Sequence, residues 1–227
     1  MSLYLALDLL IVAFPLALSF DRKVGYFRKW PHVGLASVFV GAPFIAWDSL
    51  MTMHGAWGFT ERYAGSLRIF SLPLGELGFF LAVPFSCLFI YETVGAYFRE
   101  RTLAGGRVPW LAASVICATA AFLLRSRLYT ATVLAVTSAF LLLAVMLTPG
   151  LLSSRRFWLA IGLSYVPFLL FNGLLTMLPV VTYGENAIIG PRLATIPAED
   201  FLYSFCLLGF TILAYNVLRG RGARLPR

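Results

Sequence analysis

Two stretches place acids where long apolar runs begin: Ser71-Leu-Pro73-Leu-Gly75-Glu76 and Thr195-Ile-Pro197-Ala-Glu199-Asp200. A carboxyl group shielded from water can serve as a general acid or base, and acids inside apolar segments are functional candidates by default. Proline suits a first helical turn, Ser71 or Thr195 two residues earlier suits an N-cap, and an acid in the first turn suits the positive end of the helix dipole. These acids are therefore also readable as plain helix-start carboxylates. Arg68 and Arg192 precede the two stretches by similar distances. They would lower the carboxyl pKa values where burial raises them. Glu199 and Asp200 are neighbours on a helix and point about 100° apart. One can face a pocket while an arginine holds the other.

Further polar residues fall inside or beside apolar runs. Asp48 follows Trp47 and is placed to pair with Arg68 or to cap a backbone group. Glu92 after Tyr91 reads as an interfacial residue, and Asp8 shows no partner in the sequence. Trp47, Trp57, Phe59, Phe79, Phe80 and Phe85 surround the first acidic stretch, and Tyr183, Phe201, Tyr203 and Phe205 surround the second. Most suit a core or an interfacial belt. A subset, with Trp47, Phe79, Phe80 and Tyr203 the candidates, could line a cavity, hold a long polyene and stabilise a carbocation by cation–π attraction.

The elements that must position these groups are membrane helices. Of the 227 residues 60% are hydrophobic and 12% charged, about half the share roughly expected of a water-soluble domain. Spans of roughly 20 apolar residues are expected at 2–20, 32–52, 73–95, 109–124, 128–148, 157–178 and 197–218. The runs are continuous and do not alternate, which favours helices over a barrel. Counting Lys and Arg outside these spans gives thirteen on one side, including Arg221, Arg224 and Arg227, against five on the other. The positive-inside rule then puts the N-terminus outside and the C-terminus in the cytoplasm of a multi-pass cell-membrane protein. The net charge of +8 sits between apolar runs, where membrane lipid and not nucleic acid is the partner. The opening MSLYLALDLL has no basic n-region and reads as a retained first helix.

Shifting the chain by 124 residues aligns the second and third spans with the sixth and seventh. Pro43-Phe44 falls on Pro167-Phe168, Asp48 on Asn172, Arg68 on Arg192 and Pro73 on Pro197. Glu76 falls on Asp200, and Tyr91-Glu92 on Tyr215-Asn216. Shared apolarity would not align such residues. The expected organisation is a first three-helix repeat over 1–95, a loop and linker helix over 96–127, a second repeat over 128–218 and a basic tail over 219–227. Three spans reverse the chain's side, so one extra helix is needed before an identical unit can insert the same way up. The repeats should then be parallel about an axis along the membrane normal.

Other chemistries find little support. No GxGxxG or P-loop occurs, and no DDxxD cluster. His32 and His54 are too few for a metal site. Cys87, Cys117 and Cys206 read as buried hydrophobes without CxxC spacing. Neither cofactor nor metal is expected.

Leu72–Phe85 (LPLGELGFFLAVPF) continuing to Tyr91-Glu92 resembles the first motif of the membrane-embedded lycopene cyclase domain family. So do Ser19-Phe-Asp21 with Arg28-Lys-Trp30, and Trp47-Asp48 with Gly55–Phe59; Thr195–Phe201 is similar to the family's second Pro-x-Glu-Asp motif. The resemblance spans nearly the whole chain and is to the form that fuses two halves, which elsewhere are separate subunits. It implies cyclisation of the ends of an acyclic carotenoid such as lycopene without net redox change. An acid protonates a terminal double bond, the neighbouring alkene closes a six-membered ring on the cation, and a base removes a proton. The family's first motif is usually Pro-x-Glu-Glu, and Gly75 replaces its first acid here. The resemblance thus points to Glu199 and Asp200 for acid–base chemistry, Glu76 assisting, Arg68 and Arg192 tuning charge, and Asp48 and Asn172 in support. A carotenoid-binding or partner subunit without turnover, and a small transporter with broken helices at Pro43 and Pro167, remain open alternatives.

Overall fold

A computed structural model describes residues 2–220; Arg221, Arg224 and Arg227 of the expected basic tail lie outside the described residues. In an apolar solvent a helix satisfies its own backbone N–H and C=O groups, and the apolar runs are helical. They form α1 (Leu3–Leu18), α2 (Trp30–Met53), the one-turn α3 (Glu61–Ala64), α4 (Leu74–Tyr97), α5 (Val108–Leu123), α6 (Leu128–Leu147), α7 (Arg155–Met177) and α8 (Ala198–Leu218). Apart from α3, each falls on an expected run with ends displaced by two residues at most. Five of them, α2, α4, α6, α7 and α8, are long and apolar enough to cross a membrane. At 16 residues each, α1 and α5 are shorter than the roughly 20 a full crossing takes. Large apolar side chains such as Phe39, Val115 and Val166 are exposed on the outer faces, as a lipid-facing surface requires.

Three two-stranded ribbons occupy the loops among the described residues. β1 (Trp57–Phe59) pairs antiparallel with β4 (Val181–Tyr183), centred on Gly58 opposite Thr182. β2 (Arg68–Ile69) folds onto β3 (Leu72–Pro73), and β5 (Arg192–Leu193) onto β6 (Ile196–Pro197). These two hairpins deliver the chain into α4 and α8, and they correct the expected caps. Ser71 lies in the tight turn with positive φ, beside Phe70, and makes no cap. The Thr195 hydroxyl meets that of Thr176 at 2.7 Å instead. Pro73 and Pro197 hold the N-cap positions, one residue before the first helical turn, and neither helix has a side-chain cap bond. Proline ends each hairpin without a ladder donor being missed.

The helices meet at two polar ends. At one, the starts of α1, α4, α6 and α8 join the ends of α2 and α7 around acids, the acidic end hereafter. At the other, Glu92 near the end of α4 takes ion pairs from Lys29 ahead of α2, Arg156 on α7 and Arg219 after α8, the last two at 2.9 and 3.1 Å. Between the ends lies the apolar core, which includes Phe44, Phe80, Leu88, Phe140, Phe157 and Leu207. Helix α5 packs chiefly along α6, where Ser114 and Ser138 exchange hydrogen bonds.

Candidate active site

Carboxyl groups from three helices converge at the acidic end. Glu76, in the first turn of α4, accepts a 2.6 Å bond from the Tyr4 hydroxyl of α1. Asp48, in the last turns of α2, accepts a 2.7 Å bond from the Tyr203 hydroxyl. The two carboxyl groups also reach each other within hydrogen-bonding range. Asp200, in the first turn of α8, is served by three donors. Tyr129 binds Oδ1 at 2.8 Å, while Asn172 and Tyr183 bind Oδ2 at 2.8 and 2.6 Å. Burial, reinforced by the Asp200 charge, pushes the Tyr183 phenol well above its ordinary pKa, so it remains a donor.

All of these groups face one cavity of about 410 Å³ that runs from the acidic end toward the middle of the bundle between α1, α4, α7 and α8. Below the polar rim its walls are apolar, with Phe79, Phe168, Phe171 and Leu207 among them. Leu10 and Phe14 line it and are also 61% and 68% exposed on the bundle surface. The cavity therefore reaches the apolar outer surface of the bundle along α1.

The sequence candidates distribute unevenly around this space. Glu76, Asp48, Asn172, Asp200, Phe79 and Tyr203 line it. Glu199 does not: its Oε1 is held by the Thr130 hydroxyl and the Ile189 amide on the side toward α6. An arginine was the expected partner for one acid of that pair, yet the described ion pairs all belong to Glu92 at the opposite end. Arg68 donates to the Phe59 carbonyl and Arg192 to the Thr195 carbonyl. The expected Asp48–Arg68 pairing is thus replaced by Tyr203 and Glu76. Trp47 lies against Tyr203, ring centroids 5.0 Å apart, and Phe80 packs on Phe44 in the core, so both sit behind the wall.

Tyr4, Tyr129 and Tyr183 were not singled out as hydrogen-bond donors. The available signal was a tyrosine opening the first apolar run of each half, Tyr4 and Tyr129. Among the described residues no three His, Cys, Asp and Glu side chains group as a metal ion would need.

The acidic rim, the apolar cavity and the two acid-bearing helix starts agree with a match to the lycopene cyclase family model over residues 1–94 and 126–218. The chain belongs to the lycopene cyclase family. No curated protein and no solved structure matches it. The family match spans both acidic helix starts and omits 95–125, which holds the connecting loop and all of α5.

Proposed function

We propose that this cavity closes the end group of an acyclic, lycopene-type carotenoid into a six-membered ring, with the Asp48–Glu76 pair as acid and Asp200 as base. One observation carries the assignment: equivalent positions 124 residues apart hold different chemistry. Asp48 meets Glu76 on one side, and Asn172 meets Asp200 on the other. Two carboxyl groups in contact resist ionising together, so at rest the first pair holds a proton to give, and the Tyr4 and Tyr203 hydroxyls support the charge left when it goes. A carboxylate fed by an amide and two phenols is kept as an acceptor. In the reaction the pair's proton goes to the terminal double bond, leaving a tertiary cation. The π electrons of the neighbouring alkene form the ring bond, and the cation moves into the ring. Asp200 then takes a ring-adjacent proton and a double bond forms. One proton enters and one leaves, so substrate and product are isomers. The faces of Trp57, Phe79 and Tyr203 offer cation–π stabilisation along the way.

The same reading makes the fold two parallel three-helix repeats in a seven-span, multi-pass cell-membrane protein, N-terminus outside and acidic end toward the outer face. It is supported by β1 pairing with β4 about residues 124 apart. The crossed contacts at the basic end also support it: the Tyr215 hydroxyl bonds Glu92, and the Tyr91 hydroxyl bonds Asn216. Helix α5, outside the family match, serves as the linker.

Carotenoid binding without turnover is the second reading, favoured by Gly75. A Cβ there would stand 2.5 Å from the Tyr4 ring, so no side chain replaces the usual first acid. Expression in lycopene-accumulating cells separates the two. Cyclic pigments on chromatography, lost in Asp200→Asn and Asp48→Asn, are the expected result. Unchanged lycopene that co-purifies with the protein would overturn the enzyme reading.

A further inference from the structure

Among the described residues, Asp8 on α1 is the cavity-lining carboxyl whose two oxygens both lack a hydrogen-bond partner. It is 5% exposed. The arrangement around it preserves its space: at Gly78 on α4 a Cβ would stand 2.9 Å from Asp8 Oδ2. Burying oxygens without donors costs roughly 1–3 kcal/mol or more, and elsewhere in this cavity the protein avoids that cost with Tyr4, Tyr129, Tyr183, Asn172 and Tyr203. Tyr4 and Asp8 are four residues apart on one helix face, about 6 Å along its axis. The Asp8 carboxyl lies beside Gly78, two residues past Glu76 on α4, and so about 3 Å deeper than the Asp48–Glu76 pair, where the walls turn apolar.

We propose that Asp8 is a further active-site group, a site for positive charge on an apolar guest. Oxygens held without donors in a low-dielectric space are negative ends already in place for a charge that appears there, with no solvent or side chain to reorganise. A neutral carboxyl offers its carbonyl dipole, and an ionised one its full charge. Asp8 exchanges no atom with the guest. In the cyclisation, on which this identity of the cation rests, it faces the tertiary cation just below the proton donor. The charge site itself does not depend on that reading.

The probe is an isoprenoid trimethylammonium salt compared with its neutral tert-butyl isostere, each titrated into the detergent-solubilised full chain and followed by the shift in melting temperature. Wild type should bind the ammonium about tenfold more tightly, a difference of about 1.4 kcal/mol. Asp8→Leu should bind both alike, and Asp8→Asn, which keeps a carbonyl dipole, should retain part of the preference and serves if the leucine variant does not fold. Asp8→Leu should also melt higher, since it removes unsatisfied polar atoms. No preference in wild type, or an unchanged preference in Asp8→Leu that disappears in Asp200→Asn, overturns the proposal. With lycopene, Asp8→Leu should lose roughly 10²-fold in kcat with KM unchanged; full turnover would overturn this inference and leave the cyclase reading intact. Lycopene left uncyclised by wild type, with the ammonium preference still dependent on Asp8, would overturn the cyclase reading alone.

Discussion

The partners of a carboxyl group decide what it can do, and here Asp48–Glu76 and Asn172–Asp200 differ by an oxygen-for-nitrogen exchange and one methylene. Removing one donor from Asp200 tests the base assignment gently. Tyr183→Phe should weaken turnover and cost about 1 kcal/mol of stability, the net worth of one hydrogen bond, measured by pigment conversion and thermal unfolding. Gly75 is also a residue-scale matter, because the Tyr4 ring fills the space its side chain would need. Gly75→Ala should lower stability by about 1–3 kcal/mol through overpacking. In a Tyr4→Ala background, which has its own cost, the further change Gly75→Ala should lower the melting temperature little; an undiminished loss there would show that the Tyr4 contact is not the cause. The presence of acids at 76, 199 and 200 was legible in the sequence. Which of them faces the cavity was not, since a shift of one residue turns a helical side chain by about 100°.

At the scale of elements, the hairpins ahead of α4 and α8 fix where the acidic first turns begin. The turn between β2 and β3 holds Phe70 and Ser71 at φ 52° and 66°, a conformation that bulky residues adopt reluctantly and that Asn-Gly adopts readily. Replacing the pair with Asn-Gly should raise stability by roughly 0.5–1 kcal/mol in thermal unfolding and leave the Glu76 geometry, and so the product pattern, unchanged. The helices themselves were plain in the sequence because each is a continuous apolar run. The ribbons were not, because strands of two or three residues carry too short a pattern to register. Ser71 and Thr195 consequently read as caps when they are turn residues.

For the whole molecule, the basic end fastens what the acidic end uses. Glu92 joins segments far apart in the chain, through Lys29, Arg156 and Arg219. Glu92→Ala would leave those cations facing one another in a largely buried place, and should cost about 3 kcal/mol. The acids of the cavity rim lie at the opposite end of the bundle, so protein that still folds should cyclise its substrate at the wild-type kcat. A proportional loss of kcat in correctly folded Glu92→Ala protein would mean the two ends are coupled.

Composition and periodicity by themselves determined that the chain is helical, that its long runs are apolar enough to cross a membrane, and that Glu76 and Asp200 open helices 124 residues apart. These are properties of local runs, written in consecutive residues. Only the tertiary structure decided that Glu199 turns toward α6 while Asp48 joins Glu76, that tyrosines rather than arginines serve the cavity acids, and that Asp8 is left without a donor. Each of those outcomes depends on helix rotation and on neighbours from distant segments, which hydrophobicity leaves nearly degenerate and close packing resolves.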